Sequence, residues 1–356
     1  MQQINENQMH KTKFEEYKNM GLTGLTNLGN TCFMNTCIQI LSHTYELNDF
    51  LKKTNYKNKL NNKYDSALLI EWDNLRNLMW SQNCVVSPAK FLKTVQKLSQ
   101  IKKNDLFTGY DQNDISEFLL FVIDCFHNSL MREVDMTIVG NPSNNRDKVA
   151  IKCFEMIKRL YSKEYSEIFQ LFYGVHISQI ISLEKNEILS MNPEPFFMIN
   201  LSIPENNKNP SLYDCFDNYV EGEELSGENG WNNENTGMKE NVKKNIVFWS
   251  LPDILAIDLK RFNSRNQKKQ NLVTFPVENL DLTKYVVGYK KNSYKYDLYG
   301  VANHSGSSYG GHYFSYVKNA NNKWYCFNDT DVREVNEASI VTPKAYCLFY
   351  RKIKLE

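Results

Sequence analysis

Up to about residue 170, apolar residues recur at three- and four-residue spacing, the period of a helix buried along one face. The runs "SALLIEWDNLRNLMW" (66–80), "SPAKFLKTVQKL" (87–98) and "QNDISEFLLFVIDCFHNSL" (112–130) carry that pattern. Ser87 followed by Pro88 predicts the start of the second helix, a cap with a first-turn proline. The Asn- and Lys-rich stretches 52–64 and 140–148 read as linkers. From Leu171 onward the pattern changes. "LFYGVHISQIISL", "FFMINLSI", "DILAIDLKRF", "YDLYGVANH", "HYFSYV", "KWYCFN" and "AYCLFYRKI" are short β-branched or aromatic runs bounded by turns, which are strand signals. Residues 221–245, polar and poor in apolar side chains, read as a mobile excursion. A helical first half and a strand-rich second half predict an α+β architecture of two lobes with a cleft between them.

Bulk composition narrows the function classes. A chain of 356 residues has ample length for a large core, and a net charge of +1 gives no electrostatic footprint for nucleic acid or a membrane surface. No apolar run approaches the roughly 20 residues of a membrane span. Residues 1–20 are polar and lack the apolar centre of a signal peptide, so a loose tail is expected there. The eight cysteines are scattered, with no CxxC pair. That is the usage of a reduced compartment, cytoplasmic or nuclear, and it offers no paired ligands for structural zinc.

Two of those cysteines lie in "GNTCFMNTCIQIL" (29–41). Asn30 and Thr31 are N-cap candidates, and Phe33, Met34, Ile38 and Leu41 form a helical apolar face. Cys32 then sits in the first turn, where unpaired N–H groups and the helix dipole favour an anion such as a thiolate. Cys37 lies about 140° further around the helix and cannot share that position. Local physics makes Cys32 the candidate nucleophile and Cys37 packing.

A second constellation supplies the partner. "HSGSSYGGHYFSYVKNANNKWYCFNDTDV" (304–332) reads as a glycine-rich loop, a strand, a tight turn and another strand. Gly310 and Gly311 permit close backbone approach just before His312. In the expected hairpin, a loop centred on Ala320 sets His312 opposite Asn328. A four-residue loop sets it opposite Asp329. Either arrangement gives a histidine an amide or carboxylate neighbour that orients the imidazole as a base. Loop arithmetic alone does not choose between them.

At these residues the sequence resembles the ubiquitin-specific proteases, a papain-like family. "GLTNLGNTCFMNTCIQIL" (24–41) resembles the family's cysteine box, and "GGHYFSYVKN…WYCFNDTDV" (310–332) its histidine box. "DQNDISEFLLFVID" (111–124) is similar to the Gln-Gln-Asp box, with Asn113 replacing the second glutamine. The resemblance covers residues 21–352.

It implies a papain-like right-hand fold: a helical thumb (about 21–170), β fingers (171–245) and a β palm (246–352). It also implies cleavage of the isopeptide bond after ubiquitin's C-terminal Gly-Gly, through a thioester. Residue by residue, Cys32 matches the nucleophile, His312 the base, Asn328 the third member and Asn27 the oxyanion donor, with Asp329 a supporting neighbour. Asp114 and Glu117 resemble acids that meet the ubiquitin tail, and His304 a blocking-loop histidine near the same channel, with Gly310 and Gly311 beside it. No cofactor is implied. The implied partners are ubiquitin and ubiquitinated proteins, with the chain acting as a monomer. Family fingers often hold zinc between two CxxC pairs, but the corresponding stretches here, 182–185 and 233–236, contain no cysteine. Two rivals stay open: a protease of another ubiquitin-like protein, and a ubiquitin-binding module whose catalysis has decayed.

Overall fold

The computed structural model describes residues 14–353 apart from 235, 290, 308 and 309. Its first half is a helical lobe. The helices are α1 (Cys32–Ser42), α2 (Tyr45–Lys53), α3 (Ser66–Ser81), α4 (Ala89–Ile101), α5 (Ile115–Leu130), α6 (Asn145–Glu164) and α7 (Glu167–Phe172). Two short parallel strands, β1 (Gly24–Leu25) and β2 (Val85–Val86), tie the segment before α1 to the segment before α4. Every residue of α1 is buried, so it is a central helix covered all round rather than an amphipathic one.

Helix starts differ from the sequence expectation for identifiable reasons. Helix α4 begins at Ala89, with Pro88 at the cap position and no side-chain cap from Ser87. Helix α5 begins at Ile115 rather than at 112, because the Asp114 carboxylate accepts the N–H groups of Ser116 and Glu117. Gln112 and Asn113 are thereby left in the preceding loop. Helix α6 starts inside the stretch read as a linker, where Asn144 caps it by accepting the Asp147 N–H. It buries only Ala150, Cys153 and Met156, too narrow a stripe to register as a period.

The second half is built on sheets. Strands β3 (Gly174–Ser182), β4 (Ile188–Phe196), β6 (Glu223–Leu225) and β9 (Val242–Ser250) form a four-stranded sheet in the order β4-β3-β9-β6. Strands β7 (Trp231–Asn233) and β8 (Met238–Glu240) form a separate hairpin. The stretch expected to be an excursion therefore carries three short strands. Strand β5 (Met198–Ser202) and helix α8 (Leu212–Glu221) intervene in the chain. They do not join the four-stranded sheet, although the expected 171–245 division would put them there. Strand β5 pairs in parallel with β10 (Ile254–Lys260) at one edge of the central sheet.

The remaining central strands are β11 (Leu280–Asp281), β12 (Lys295–Ser307), β13 (Gly310–Lys318), β14 (Trp324–Asn328), β15 (Asp331–Val335) and β16 (Ala345–Lys352). The order is β15-β14-β13-β12-β16-β10-β5, with β11 on β12. This sheet is buried on both faces. Ala302, Tyr313, Val317, Phe327 and Phe349 share one core with the helical lobe. Val301, Leu348, Tyr350 and Ile257 share another with Phe216 of α8. Adjacent residues such as Val301 and Ala302 point into different cores, as the two-residue period of a strand requires. Helix α1 lies against the first face, which brings its N-terminus to the start of β13.

The expected loose tail is shorter than 1–20. Tyr17 is 1% exposed, stacks on Tyr45 at 4.5 Å between centroids, and donates its hydroxyl to Asp49 at 2.6 Å. Aromatic area of this size, buried with its hydroxyl satisfied, is enough to order the segment. Residues 1–13 lie outside the described residues.

Candidate active site

Cys32 opens α1 and is 3% exposed. Thr31 occupies the cap position, but its hydroxyl accepts the Leu28 N–H at 2.9 Å rather than capping the helix. Asn30 takes a left-handed conformation, φ 53°, and donates its amide to the Tyr110 carbonyl. The helix-start N–H groups do reach the sulfur, as does the Tyr313 N–H, 3.5 Å from Sγ. They do not decide the charge. Burial pushes the Cys32 thiol up, the N–H groups of Tyr313, Phe33 and Cys32 itself oppose it, and the nearby Asp329 carboxylate adds to the rise. The depressed thiol expected from the helix terminus is thus outweighed by desolvation. Cys37 is buried among apolar side chains of the same helix, and burial raises its thiol too.

His312 stands on β13, half-buried, beside the Tyr313 whose N–H meets Cys32. Its Nε2 lies 2.5 Å from Oδ1 of Asn328. That bond engages Nε2 of the ring. The hairpin register is not one of the two anticipated. Lys318 pairs with Trp324 and Ser315 with Phe327, so the loop covers 319–323 and is centred on Asn321, one residue beyond Ala320. Continued past its last pair, the ladder would set His312 against residue 330. The shift from the Asn328 register is two residues, which preserves the face. His312 and Asn328 therefore share a side of the sheet and meet diagonally.

Asp329 points the other way. It adopts φ 51° at the turn after β14. Its Oδ2 accepts the Asn27 amide at 3.0 Å and its Oδ1 accepts the Asn35 amide at 2.8 Å. The Asn27 side-chain oxygen in turn accepts the N–H groups of Gly29 and Thr31 and the Thr31 hydroxyl. One N–H of Asn27 is held by Asp329 and the other has no partner among the described residues, on an exposed side chain in the loop five residues before Cys32.

The remaining predicted residues separate into two groups. Glu117 is exposed on the first turn of α5, its carboxyl raised by partial burial and by Asp114. Asp114 is not available in the same way. Its Oδ1 caps α5 and its Oδ2 accepts the hydroxyls of Tyr346, at 2.6 Å, and Tyr313, at 3.5 Å. His304 lies on β12, 4% exposed, and packs on Tyr313 at 4.5 Å between ring centroids. Lys268 donates to both its Nδ1 and its carbonyl. Burial first, then the Lys268 charge, pushes its imidazole down to about 4. It is a buried, neutral ring packed on Tyr313 and held by Lys268.

Gly311 marks the closest approach. A β-carbon there would fall on the His304 ring nitrogen and 2.6 Å from the Ser305 carbonyl. Gly310 has open space by comparison. Gln112, which sequence reasoning passed over, bridges the cleft: its Oε1 accepts the Gly311 N–H at 2.8 Å and its Nε2 donates to the Gly311 carbonyl at 2.9 Å. The signal was its place in "DQND", just ahead of the helix cap. Asn35 was also missed, although it follows Cys32 by one helical turn on the same face.

Cation-binding potential is modest among the described residues. Asp65, Asp124 and Cys125 converge, but the Lys102 ammonium already sits 2.7 Å from Asp65 and 3.3 Å from Asp124. Ser182 and Asn233, at the 182–185 and 233–236 stretches, both have their side chains engaged. The Ser182 hydroxyl accepts the Lys185 N–H, and the Asn233 amide donates to Glu240.

Comparison with known proteins places this geometry. A family profile described as "Ubiquitin carboxyl-terminal hydrolase" matches residues 23–350. Human ubiquitin carboxyl-terminal hydrolase 2 is 34% identical over 341 residues, covering 93% of this chain and 55% of that protein. The chicken protein of the same name is 33% identical and covers 93% of each. The chain thus spans about half the length of the bovine and human relatives it matches. Among solved structures, a chain of the SAGA DUB module Ubp8/Sgf11/Sus1/Sgf73 bound to monoubiquitin superposes with a TM-score of 0.72 at 22% identity, covering 94% of this chain and 70% of that one. The α+β fold is that of the ubiquitin-specific proteases, and the chain belongs to the ubiquitin carboxyl-terminal hydrolase family.

Proposed function

We propose that the chain is a thiol hydrolase that cleaves the isopeptide bond following the C-terminal Gly-Gly of ubiquitin. The observation that carries this reading is the meeting of two lobes at one point: the Cys32 sulfur on the Tyr313 N–H, and the adjacent His312 imidazole held by Asn328. A nucleophile, a base and an orienting group in that order are what acyl transfer through sulfur needs.

Because burial favours the neutral thiol, His312 acts as a general base through Nδ1, with Nε2–H donated to Asn328. The Cys32 sulfur attacks the terminal glycine carbonyl as its proton passes to His312. The second N–H of Asn27 and the backbone N–H of Cys32 are the candidate donors to the resulting oxyanion. A donor of this kind is worth roughly 3–4 kcal/mol when removed. The imidazolium returns its proton to the departing lysine amine, leaving a thioester. Water, deprotonated by the same ring, then releases the ubiquitin carboxylate and restores the thiol.

The test is reaction with a ubiquitin carrying a C-terminal electrophile, followed by mapping of the adduct. The expected result is one adduct, on Cys32, and none with Cys32→Ala. An adduct on Cys37 or Cys326 with Cys32 unmodified overturns the assignment. Faster reaction with the same electrophile on another ubiquitin-like protein would redirect the substrate class. Tight ubiquitin binding with no adduct would favour a binding module.

A further inference from the structure

We infer that Asn35 is a positioning residue for the Asn27 amide, acting through the Asp329 carboxylate. The inference rests on the function proposed above. Asn35 lies on α1 and is 2% exposed, a position where an apolar residue would ordinarily fill a fully covered helix. Its amide nitrogen is 2.8 Å from Asp329 Oδ1, with longer contacts to the Leu25 and Thr26 carbonyls at 3.5 and 3.4 Å, and its own Oδ1 is buried without a hydrogen-bond partner among the described residues. A buried amide with an unsatisfied oxygen costs stability, and what offsets that cost here is its donor, whose shortest bond is to Asp329.

The neighbouring geometry shows what that task is. Asp329 holds a left-handed backbone, and its carbonyl accepts the Leu25 N–H at 2.8 Å. A β-carbon on Gly24 would come within 2.5 Å of the Thr330 carbonyl, so the two backbones are in close contact here. The turn is therefore fixed to the segment that runs two residues on into Asn27. Its carboxylate has two oxygens and two amide donors: Asn35 from the helix and Asn27 from the loop. With Asn35 fixing one oxygen, the other is held where it takes one specific N–H of Asn27. The Asn27 oxygen is fixed independently by Gly29 and Thr31. The amide plane is then determined at both ends, and its unspent N–H keeps one direction. Without Asn35 the carboxylate can rotate, and Asn27 loses its preset orientation. A donor must be set before charge develops if it is to stabilise a transition state, so the effect belongs in kcat.

The experiment is a double-mutant cycle, with steady-state hydrolysis of a ubiquitin C-terminal fluorogenic amide by wild type, Asn35→Ala, Asn27→Ala and the double variant. Asn35→Ala is expected to lower kcat by about tenfold to a hundredfold, less than the roughly 10²–10³ typical of losing an oxyanion donor outright. KM should move less than twofold. In the Asn27→Ala background the Asn35→Ala loss should disappear, because no oriented amide remains to be lost. Asn35→Ser, polar but too short to reach the carboxylate, is carried through the same cycle, so one variant decides if the other fails to fold. An Asn35 loss that multiplies fully with the Asn27 loss, or that changes KM instead of kcat, overturns the inference and leaves the proposed function standing. Absence of hydrolysis by wild type overturns both.

Discussion

The His312 ring is fixed by Asn328, with Nε2 and Oδ1 2.5 Å apart, although the two residues are not cross-strand partners. They share a face because the hairpin slips by an even number of residues. Asn328→Ala should therefore lower kcat on a ubiquitin substrate at least tenfold with little change in KM, since orientation of the base is lost and ubiquitin contacts are not. Asn328→Asp keeps an acceptor oxygen in place and should retain much of the activity. Steady-state kinetics of both variants decide this, and full activity in Asn328→Ala would defeat the assignment.

Gly310 and Gly311 should respond differently to the same substitution. At Gly311 an added methyl would meet the His304 ring and the Ser305 backbone, which cannot move apart without disturbing the β12–β13 pairing. At Gly310 the nearest atom is the Gln112 side-chain oxygen, 3.7 Å away. Gly311→Ala is expected to abolish turnover and lower the unfolding temperature, while Gly310→Ala leaves both close to wild type. Equal effects would show that the crowding is not felt in solution.

The two thumb acids should also separate. Asp114 spends both oxygens internally, on the α5 cap and on two tyrosine hydroxyls. Asp114→Ala is expected to cost about 1–3 kcal/mol of stability, from the lost cap and the orphaned Tyr346 hydroxyl. Urea denaturation measures it. Glu117→Lys alters an exposed side chain and should instead raise KM for ubiquitin substrates while kcat changes little. A fall in kcat alone would place Glu117 in the chemistry.

Asp258 gives a pH signature. It is half-buried on β10, accepts the Ser116 hydroxyl at 3.0 Å, and lies near the Cys347 thiol and the Asp114 charge. Burial first, then Asp114, pushes its carboxyl up to about 6. The folded chain thus keeps a proton that the unfolded chain releases near pH 3.9. Through the window from about pH 4 to about pH 6 the folded state binds more protons, so this group makes stability fall as pH rises. Asp258→Asn should flatten that part of the profile and make the protein relatively more stable at pH 7. Urea midpoints across the window test the sign, and an unchanged slope would refute it.

The amino-acid order determined the local facts. It carried the helix that presents Cys32, the short strands of the second half, and the alternation that puts Asn328 and Asp329 on opposite faces of their strand. These are properties of helical and strand periods, which act over a few residues and survive an error in loop length. Tertiary structure decided everything that depends on distant neighbours. The loop at 319–323 set a register that no local rule gives. The state of the Cys32 thiol followed from burial by β13, nearly 300 residues away in the chain, which outweighs its own helix terminus. One carboxylate oxygen of Asp114 was engaged by Tyr313 and Tyr346, and His304 was buried beside Lys268 and an aromatic cluster. Gln112 and Asn35 acquire their significance only from Gly311 and Asp329, partners brought to them by the packing of a helical lobe on a sheet. A side chain's period is written beside it in the sequence, whereas its charge state, its solvent exposure and its hydrogen-bond partners are set by whatever the fold places next to it.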